Sequence, residues 1–508
     1  MCASKNFVVG EKHLALEGVW SWLDNKSPIS IHSSVKAKMA ASRKVVEDCL
    51  KDGKAHYGIN TGFGSLANTR ISSEKLEQLQ YNLIKSHACG VGELFSGDIV
   101  RLTMLLRANV LAMGYSGVRY EVLEYLVNYI NKGNIPKIPS QGSVGASGDL
   151  APLAHLALAL IDGGLKLEAK EGLSLINGIQ ASLAVAVCAM RDSERLIQNA
   201  NTAAALTVEG LRGSSKPFDE RIASVRPQDG HKKVAEFVRG MISKSEIIAS
   251  HKSCSRVQDP YSLRCVPQVH GAVVDTFNFA KNIIERELSS CTDNPLVFAR
   301  DPSTRPPEPA LERSEGADSL RMTGPCEVIS GGNFHGTSIG LACDSLATAI
   351  TALGNISERR IEQMINPKQN EIPVKYLVAD AGMNSGFMVA HVTASALASE
   401  NKALSFPASA DSITTSAGQE DFVSMSMWGA RKLSQVISNT EKIIAIELMA
   451  AAQAVDMQEE RHELGVGTKK VYDEIRRHVP TLKSDRVMFR DIEKMLAVVE
   501  NLSSRLFP

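Results

Sequence analysis

The chain has 508 residues, and its 56 lysine and arginine residues balance 56 aspartate and glutamate residues, which excludes an overall basic field for nucleic acid or membrane binding. Its nine cysteines form no CxxC pair and no metal-ligand spacing, which argues against a disulfide framework and against a metal site. No signal-peptide core follows the N-terminus and no uncharged run is long enough to span a bilayer, so we expect a soluble, cytoplasmic protein.

The N-terminal part alternates predicted helices with irregular segments. Residues 57–65 contain three glycines without periodicity, which indicates a loop. A helix follows from the capping residue Ser72, and leucines at helical spacing share one of its faces with His87. Further helices are predicted over residues 34–50, 96–112 and 121–132.

Long helical patterns with few breakers dominate the rest of the chain. They are predicted over residues 182–197, 268–288, 338–364, 383–402 and 426–457. The expected fold is mainly α, an elongated bundle of long, near-parallel helices with a smaller mixed N-terminal domain. We expect the N-terminal domain over residues 1–200, the bundle over residues 201–508, and a mobile insertion at residues 301–321, which are rich in proline and charge.

The most informative segment is residues 142–153, where glycines and small residues lead directly into an apolar helix. Glycine lets the backbone fold back tightly, so the Gly148 nitrogen can approach the Ala146 carbonyl. Attack and loss of water close a five-membered ring, and loss of the Ser147 hydroxyl leaves an exocyclic methylidene. The product, methylidene-imidazolone (MIO), is a strong electrophile. Taken alone, these three residues favour a glycine-rich helix entry without chemistry.

Four further polar residues can carry chemistry, and each has a simpler structural interpretation. The Tyr57 phenol can exchange a proton near an electrophile, or it is a core tyrosine. His87 is a polar substrate contact or a buried, hydrogen-bonded histidine. Asn177 binds a ligand or forms a turn with the glycine after it. The Glu420 carboxylate can accept a hydrogen bond from an imidazole, or it is a solvated surface group.

A third group, Gln258, Tyr261 and Arg264, is spaced so that one helical turn would direct all three side chains to nearly one side. Arg264 can bind a carboxylate through two parallel hydrogen bonds. Tyr261 can act as a general base if positive surroundings lower its pKa, and Gln258 can orient either partner. A polar helix surface is the alternative interpretation.

Together these segments resemble the aromatic amino acid ammonia-lyase family, from about residue 50 to residue 460. The matching segments are residues 57–64, 86–90, 142–153, 176–178, 258–264, 330–335 and 419–421. The resemblance implies a fold of the fumarase/aspartase-like superfamily and an MIO group formed from Ala146, Ser147 and Gly148, without an external cofactor. It also implies a homotetramer whose active sites each draw residues from several subunits.

The resemblance also implies roles for single residues. Tyr57 and Tyr261 are the expected catalytic side chains beside Ser147. Asn177, Gln258 and Arg264 are expected to bind the substrate. Phe334 and Met388 resemble walls that pack on the substrate ring, and a general core role fits each of them as well.

The expected substrate follows from two positions. The pair Ser86 and His87 resembles the histidine-selective version of the site, whereas phenylalanine-selective relatives carry Phe-Leu there. Those relatives also carry glutamine at the position of Glu420. The implied reaction is the non-oxidative removal of ammonia from L-histidine to give trans-urocanate. Whether the substrate's amine or its ring attacks the electrophile is left open.

Two departures from the family pattern keep alternatives open. Phe422 stands where histidine-specific relatives usually carry histidine, and residues 373–377 are one residue longer than usual, with Lys375 at an expected apolar position. An MIO lyase or 2,3-aminomutase for another aromatic amino acid or a modified histidine is therefore the alternative. A catalytically silent helical scaffold is the third hypothesis.

Overall fold

The protein is described by a computed structural model that covers residues 6–11, 14–251, 257–299, 326–370 and 372–506. The chain divides into two compact units. The first comprises Met1–Cys188, Ile283–Leu341 and Ala408–Ala430, and the second comprises Ala189–Asn282, Ala342–Pro407 and Arg431–Pro508. The division into domains at residue 200 stays a prediction, and the expected insertion at residues 301–321 lies outside the described residues.

The first unit begins with seven helices among its described residues. They are α1 (Leu16–Asn25), α2 (Val35–Lys51), α3 (Leu76–His87), α4 (Gly97–Ala112), α5 (Tyr120–Asn131), α6 (Leu150–Asp162) and α7 (Glu171–Ile176). Helix α4 begins where the Ser96 side chain accepts a hydrogen bond from the Ile99 amide, and most of its residues are buried. The helices expected at residues 34–50, 96–112 and 121–132 are therefore confirmed.

Short strands add three two-stranded pairs to this unit. They are β1 (Phe7–Val9) with β2 (Ile29–Ile31), β3 (Val91–Leu94) with β4 (Pro139–Gln141), and β5 (Leu296–Phe298) with β6 (Glu327–Ile329). The first pair is parallel and the other two are antiparallel. Strand β4 matters most for function, because the glycine-rich loop connects its end to the start of α6.

The remaining helices include four of more than 20 residues. In chain order they are α8 (Gln180–Gly210), α9 (Glu220–Val225), α10 (Asp229–Met241), α11 (Glu246–Ser250), α12 (Tyr261–Arg264), α13 (Val266–Leu288), α14 (Thr337–Ile365), α15 (Met388–Leu404), α16 (Ser426–Asp456), α17 (Val466–His478) and α18 (Met488–Leu506). Four of the five boundaries between the two units fall within α8, α13, α14 and α16, and the fifth, between Pro407 and Ala408, follows α15.

Two predicted helix boundaries were wrong. Helix α8 continues beyond residue 197 to Gly210, through a stretch that is buried on all sides and therefore lacks the one-sided periodicity that predicts a helix. Helix α15 begins at Met388 instead of residue 383. Within the predicted range, Gly386 has a φ of 54°, which is incompatible with a right-handed helix.

Helix α14 is the one described helix that is long and apolar enough to cross a membrane by length and composition. In this structure 61% of its apolar window is buried inside the protein. Most of its apolar window is thus covered by packing within the protein.

Candidate active site

The loop between β4 and α6 has a conformation that requires glycine. Gly142, Gly145 and Gly148 all have positive φ, of 127°, 66° and 80°. A Cβ atom added to Gly148 would lie 2.3 Å from the Gly178 nitrogen and 2.4 Å from its carbonyl oxygen. No side chain fits there, so the backbone at Gly148 lies directly against a second stretch of backbone.

The N-terminal end of the loop is held by hydrogen bonds from two distant segments. The Val144 carbonyl accepts a hydrogen bond from the Met425 amide at 2.9 Å. The Gly145 carbonyl accepts one from the Gly336 amide at 3.0 Å and another from the Ser424 hydroxyl at 2.7 Å. These bonds form what we call the upstream anchor, from Val144 and Gly145 to Gly336, Ser424 and Met425.

The C-terminal end of the loop is held by Asp149. Its amide donates to the Gly178 carbonyl at 2.6 Å, and its carboxylate accepts hydrogen bonds from the Ser143 hydroxyl at 2.7 Å and from the Ser182 amide and hydroxyl at 2.6 Å. Burial raises the pKa of this carboxyl group, while the hydrogen bonds from Ser182 and Ser143 oppose that rise. We call these contacts the downstream anchor.

Between the two anchors, the groups that would form the ring are free. Among the described residues, neither the Ala146 carbonyl oxygen nor the Gly148 amide takes part in a hydrogen bond. Buried backbone groups are nearly always paired, so two free ones on either side of a serine are unusual. The loop therefore fits the precursor of an MIO group. The Gly148 nitrogen, as nucleophile, and the Ala146 carbonyl, as electrophile, are both free to react.

Glu420 lies directly beside Ser147. The Ser147 hydroxyl donates a hydrogen bond to one carboxylate oxygen of Glu420, and the Thr415 hydroxyl donates to the other. A tight loop fixes the carboxylate, because the Thr415 amide donates to the Glu420 carbonyl at 2.9 Å and the Glu420 amide donates back at 3.3 Å. The structure thus places next to Ser147 the carboxylate that the sequence indicated as a substrate contact.

Two cavities meet at Ser147, and all their lining residues belong to the first unit. One has a volume of about 460 Å³ and the other of about 450 Å³, and Tyr57, Asn177 and Glu420 line both. His87 lines the second cavity. Such volumes suit a small-molecule ligand. The structure therefore brings together Tyr57, His87, Asn177 and Glu420 around Ser147.

Tyr57 and His87 are both neutral in this environment. Burial raises the pKa of the Tyr57 phenol, so the hydroxyl keeps its proton, and its oxygen lies 3.5 Å from the Gly64 amide. Burial lowers the pKa of His87. Its Nδ1 lies 2.8 Å from the Leu83 carbonyl oxygen, which can only accept, so Nδ1 carries the proton and Nε2 remains as an acceptor.

Hydrogen bonds to Arg107 and Asn294 hold Asn177 in place. The guanidinium of the fully buried Arg107 donates to the Asn177 carbonyl at 2.7 Å, and the Asn177 side-chain nitrogen donates to the Asn294 carbonyl at 3.3 Å. Within the described part of the chain, the Asn177 Oδ1 atom has no hydrogen-bond partner. It therefore remains available to a ligand.

Aromatic residues form one wall of the first cavity. Phe334 is half-buried there, as expected from the sequence. Phe422 is stacked on His335, with ring centroids 5.9 Å apart and an angle of 14° between the planes. Sequence reasoning did not name His335 or Asn294 as lining residues. His335 lies in a segment that the sequence did single out, whereas no local pattern marks Asn294.

The other predicted site residues belong to the second unit and line neither cavity at Ser147. Helix α12 begins only at Tyr261, so Gln258 lies before it and the three residues do not share one helix. Tyr261 is 70% exposed, and the Arg264 guanidinium lies over its ring at 4.6 Å. Gln258 and Arg264 line a separate pocket, and Met388 is the first residue of α15.

The family model of the aromatic amino acid lyases matches residues 14–166 and 163–477. The chain belongs to this family. It is 42% identical to the histidine ammonia-lyase of Natranaerobius thermophilus over 519 residues, covering 97% of each chain, and 45% identical to that of Sorangium cellulosum, covering 93% of each. The family expected from the sequence is confirmed, and with it a carbon–nitrogen lyase.

Solved structures agree on the fold. The histidine ammonia-lyase of Trypanosoma cruzi is 36% identical, with a TM-score of 0.84 over 98% of this chain and 94% of that one. The tyrosine aminomutase of Streptomyces globisporus is 33% identical, with a TM-score of 0.87 over 99% of both chains. Ergothionase of Treponema denticola, an ergothioneine-degrading enzyme, is 26% identical, with a TM-score of 0.87 over 99% of this chain and 100% of that one. The mainly α fold class is confirmed.

Proposed function

We propose that this lyase removes ammonia from L-histidine and releases trans-urocanate. One observation carries the proposal: Ser147, between a free carbonyl and a free amide, shares one cavity with the neutral His87 and the carboxylate of Glu420. The relatives named histidine ammonia-lyase, which match nearly the whole chain, support the same substrate. We expect the reaction to take place in the cytoplasm.

Ala146, Ser147 and Gly148 are the residues that would form the MIO group. When formed, that group supplies an electrophile that makes the substrate's ammonia easier to release. The free Gly148 amide and free Ala146 carbonyl support this assignment, as does the absence of room for a side chain at Gly148. The position of Ser147 just before α6 adds the positive end of a helix dipole.

His87 and Glu420 bind the substrate's imidazole in this proposal. The Nε2 atom of His87 accepts a hydrogen bond from one ring N–H, because its Nδ1 proton is directed to Leu83. Glu420 accepts from the other ring N–H, and its charge favours the doubly protonated imidazolium. Two acceptors facing one ring select a heterocycle that carries N–H groups over a hydrocarbon ring.

The remaining roles belong to three residues of the second unit and to Tyr57 of the first. Arg264 binds the α-carboxylate, Gln258 orients it, and Tyr261 removes the β-proton. Tyr57, which keeps its own proton, is a hydrogen-bond donor close to the site of C–N cleavage.

We further propose a homotetramer in which several subunits contribute to each site. Residues of neighbouring copies, including Tyr261, Arg264 and Met388, then complete the cavity at Ser147, with Phe334 and Met388 packing on the substrate ring. The lining of both Ser147 cavities by residues of the first unit alone supports this arrangement.

A second candidate is an MIO enzyme for another aromatic amino acid or for a modified histidine, with either elimination or 2,3-amino transfer as outcome. Phe422 favours it, because its apolar ring lines the cavity where histidine-specific relatives usually carry histidine. The similarity in fold to a tyrosine aminomutase and to ergothionase is consistent with this breadth.

A substrate panel separates the two candidates. The purified protein is incubated with histidine, N-methylated histidines, tyrosine and phenylalanine, and products are assigned by chromatography as unsaturated acids or β-amino acids. We expect urocanate from histidine with the highest kcat/KM of the panel. No urocanate, together with turnover of another member, would replace the first candidate by the second.

A further inference from the structure

We propose that Ser424 is a positioning residue for formation of the MIO ring, and this rests on the function proposed above. Its hydroxyl donates to the Gly145 carbonyl at 2.7 Å and lies 3.3 Å from the Val144 carbonyl. Ser424 is 2% exposed. It acts on the backbone that precedes the ring, without itself contacting the reacting atoms.

The segment that carries Ser424 is held rigidly. The Val423 amide donates to the Ser412 hydroxyl at 3.0 Å, and the Met425 amide donates to the Val144 carbonyl at 2.9 Å. Met425 has a φ of 52°, a left-handed conformation that is strained for a residue with a side chain. The surrounding structure keeps this strained turn, and the turn directs both the Ser424 hydroxyl and the Met425 amide at the loop.

Ser424 also connects the two anchors of the loop. The Ser426 amide donates to the Ser424 hydroxyl at 3.3 Å, and the Ser426 hydroxyl donates to the Ser182 hydroxyl at 3.2 Å. Ser182 in turn donates to the Asp149 carboxylate at 2.6 Å. A continuous series of hydrogen bonds through the buried Ser424, Ser426 and Ser182 thus runs from Gly145 on one side of the ring precursor to Asp149 on the other.

The Ser424 and Ser426 side chains in this series pack tightly against the backbone of Gly145. A Cβ atom at Gly145 would lie 2.1 Å from the Ser426 oxygen and 2.6 Å from the Ser424 oxygen. Glycine at position 145 therefore lets the hydroxyl groups reach the backbone directly. Movement of Gly145 relative to Asp149 changes the separation of the Ala146 carbonyl and the Gly148 amide, and ring closure depends on that separation.

Ring formation has a defined stoichiometry. The Gly148 nitrogen bonds to the Ala146 carbonyl carbon, and the carbonyl oxygen leaves as water with the amide protons of Gly148 and Ser147. The Ser147 hydroxyl then leaves with the Ser147 Cα proton as a second water, and a Cα–Cβ double bond forms. No oxidant or co-reactant is required. Holding the two reacting groups together raises the rate of the first step, which is the contribution assigned to Ser424.

The experiment follows the mass of the chain during its synthesis. Wild type, Ser424→Ala and Ser193→Ala are produced by cell-free translation and sampled over time, and intact mass gives the fraction of chains that have lost two waters. Ser193 is the matched control, a fully buried serine whose hydroxyl bonds to the Ala189 carbonyl within α8. We expect Ser424→Ala to lose water roughly tenfold more slowly than the other two.

The outcomes separate this inference from the proposed function. Water loss in Ser424→Ala at the wild-type rate would overturn the role of Ser424 and leave the proposed function intact. A wild-type chain that stays at its unmodified mass would overturn the MIO assignment itself. If circular dichroism shows Ser424→Ala to be unfolded, Ser424→Cys replaces it, because a thiol is of similar size and a weaker donor. Wild-type kinetics in that variant would also contradict the inference.

Discussion

Two buried polar clusters, one in each unit, differ in how completely their groups are paired. In the first unit, the anchors on both sides of the loop are hydrogen-bonded, while the Ala146 carbonyl and the Gly148 amide between them are free. In the second unit, Arg360 and Glu447 are fully buried and form two hydrogen bonds with each other, at 2.5 and 2.8 Å.

In the second cluster, each nitrogen of the Arg360 guanidinium and both carboxylate oxygens of Glu447 have a hydrogen-bond partner. Glu447 also accepts hydrogen bonds from the hydroxyls of Thr207 at 2.7 Å and Ser357 at 2.5 Å. The third nitrogen of Arg360 lies 3.3 Å from Nε2 of His270, whose Nδ1 lies 2.7 Å from the Asn201 side-chain oxygen. A buried pair that is satisfied in this way has a structural role.

This difference in pairing indicates that the first cluster serves a reaction and the second serves the stability of the fold. Unpaired backbone groups that are held in place by paired neighbours are available for a reaction, and the fold bears the cost of leaving them unpaired. The charged groups of the second cluster are fully paired with one another, and removing one partner leaves a buried charge without its counter-charge. Mutations in the first cluster should therefore change activity, and mutations in the second should change stability.

The largest effect is expected for Ser147→Ala. The variant folds, but its chain cannot lose the second water because no methylidene forms without the Ser147 hydroxyl, and kcat for histidine falls on the order of 10³-fold or more. Intact mass and urocanate absorbance measure the two effects. Ser193→Ala is the control, and it should lose both waters and keep wild-type activity. Activity in Ser147→Ala within tenfold of wild type would contradict the ring assignment.

Arg360→Met tests the second cluster. Because it leaves the Glu447 carboxylate buried without its cation, we expect the free energy of unfolding in urea to fall by about 3–5 kcal/mol. The neighbouring Arg359 is 58% exposed and pairs with Glu358, so Arg359→Met is the matched control and should cost only about 0–1 kcal/mol. Equal losses of unfolding free energy in the two variants would mean that the buried Arg360–Glu447 pair stabilises the fold no more than the exposed pair does.

Glu420→Gln tests selectivity within the first cluster. Removing the charge weakens the hydrogen bond to the substrate's imidazole, and a charge-assisted bond of about 1.5–3 kcal/mol corresponds to a loss of roughly 10- to 150-fold in kcat/KM for histidine. Any activity on phenylalanine should fall less, because its ring offers no N–H group. An equal fold-loss of kcat/KM on both substrates would show that Glu420 does not select the ring of the substrate.

The smallest effect is expected from the pH dependence of the second cluster. Burial holds the pKa of His270 well below the ordinary value of 6.5, with the Arg360 charge acting in the same direction. The unfolded chain takes up this proton near pH 6.5 and the folded chain does not, so the stability from neutral His270 is present above that pH and is lost as the pH falls.

His270→Asn removes this titration. Between about pH 7 and pH 5, the unfolding free energy of wild type should fall more steeply than that of the variant, by up to about 1.4 kcal/mol per pH unit. Urea unfolding at a series of pH values gives both slopes. An unchanged slope in the variant would show that another group sets the acid sensitivity of this cluster.

Local sequence predicted much of the helical structure and the start of α6. Apolar spacing marks a helix wherever one side faces solvent, and Asp149 with the small residues before it marked the entry into α6. Prediction failed where a helix is buried on all sides, as in the second half of α8. It also failed at Gln258, which the periodicity placed on a helix that in fact begins at Tyr261.

The amino-acid sequence alone determined the family and pointed to the proposed ring precursor, because both depend on residue identities within short segments, among them the one around Ala146, Ser147 and Gly148. Only the tertiary structure decided which groups near Ser147 are paired and which are free. Several of these bonds join residues more than 270 positions apart, such as Ser424 to Gly145 and Ser147 to Glu420. Such contacts arise from packing of separate segments, and local periodicity carries no information about them.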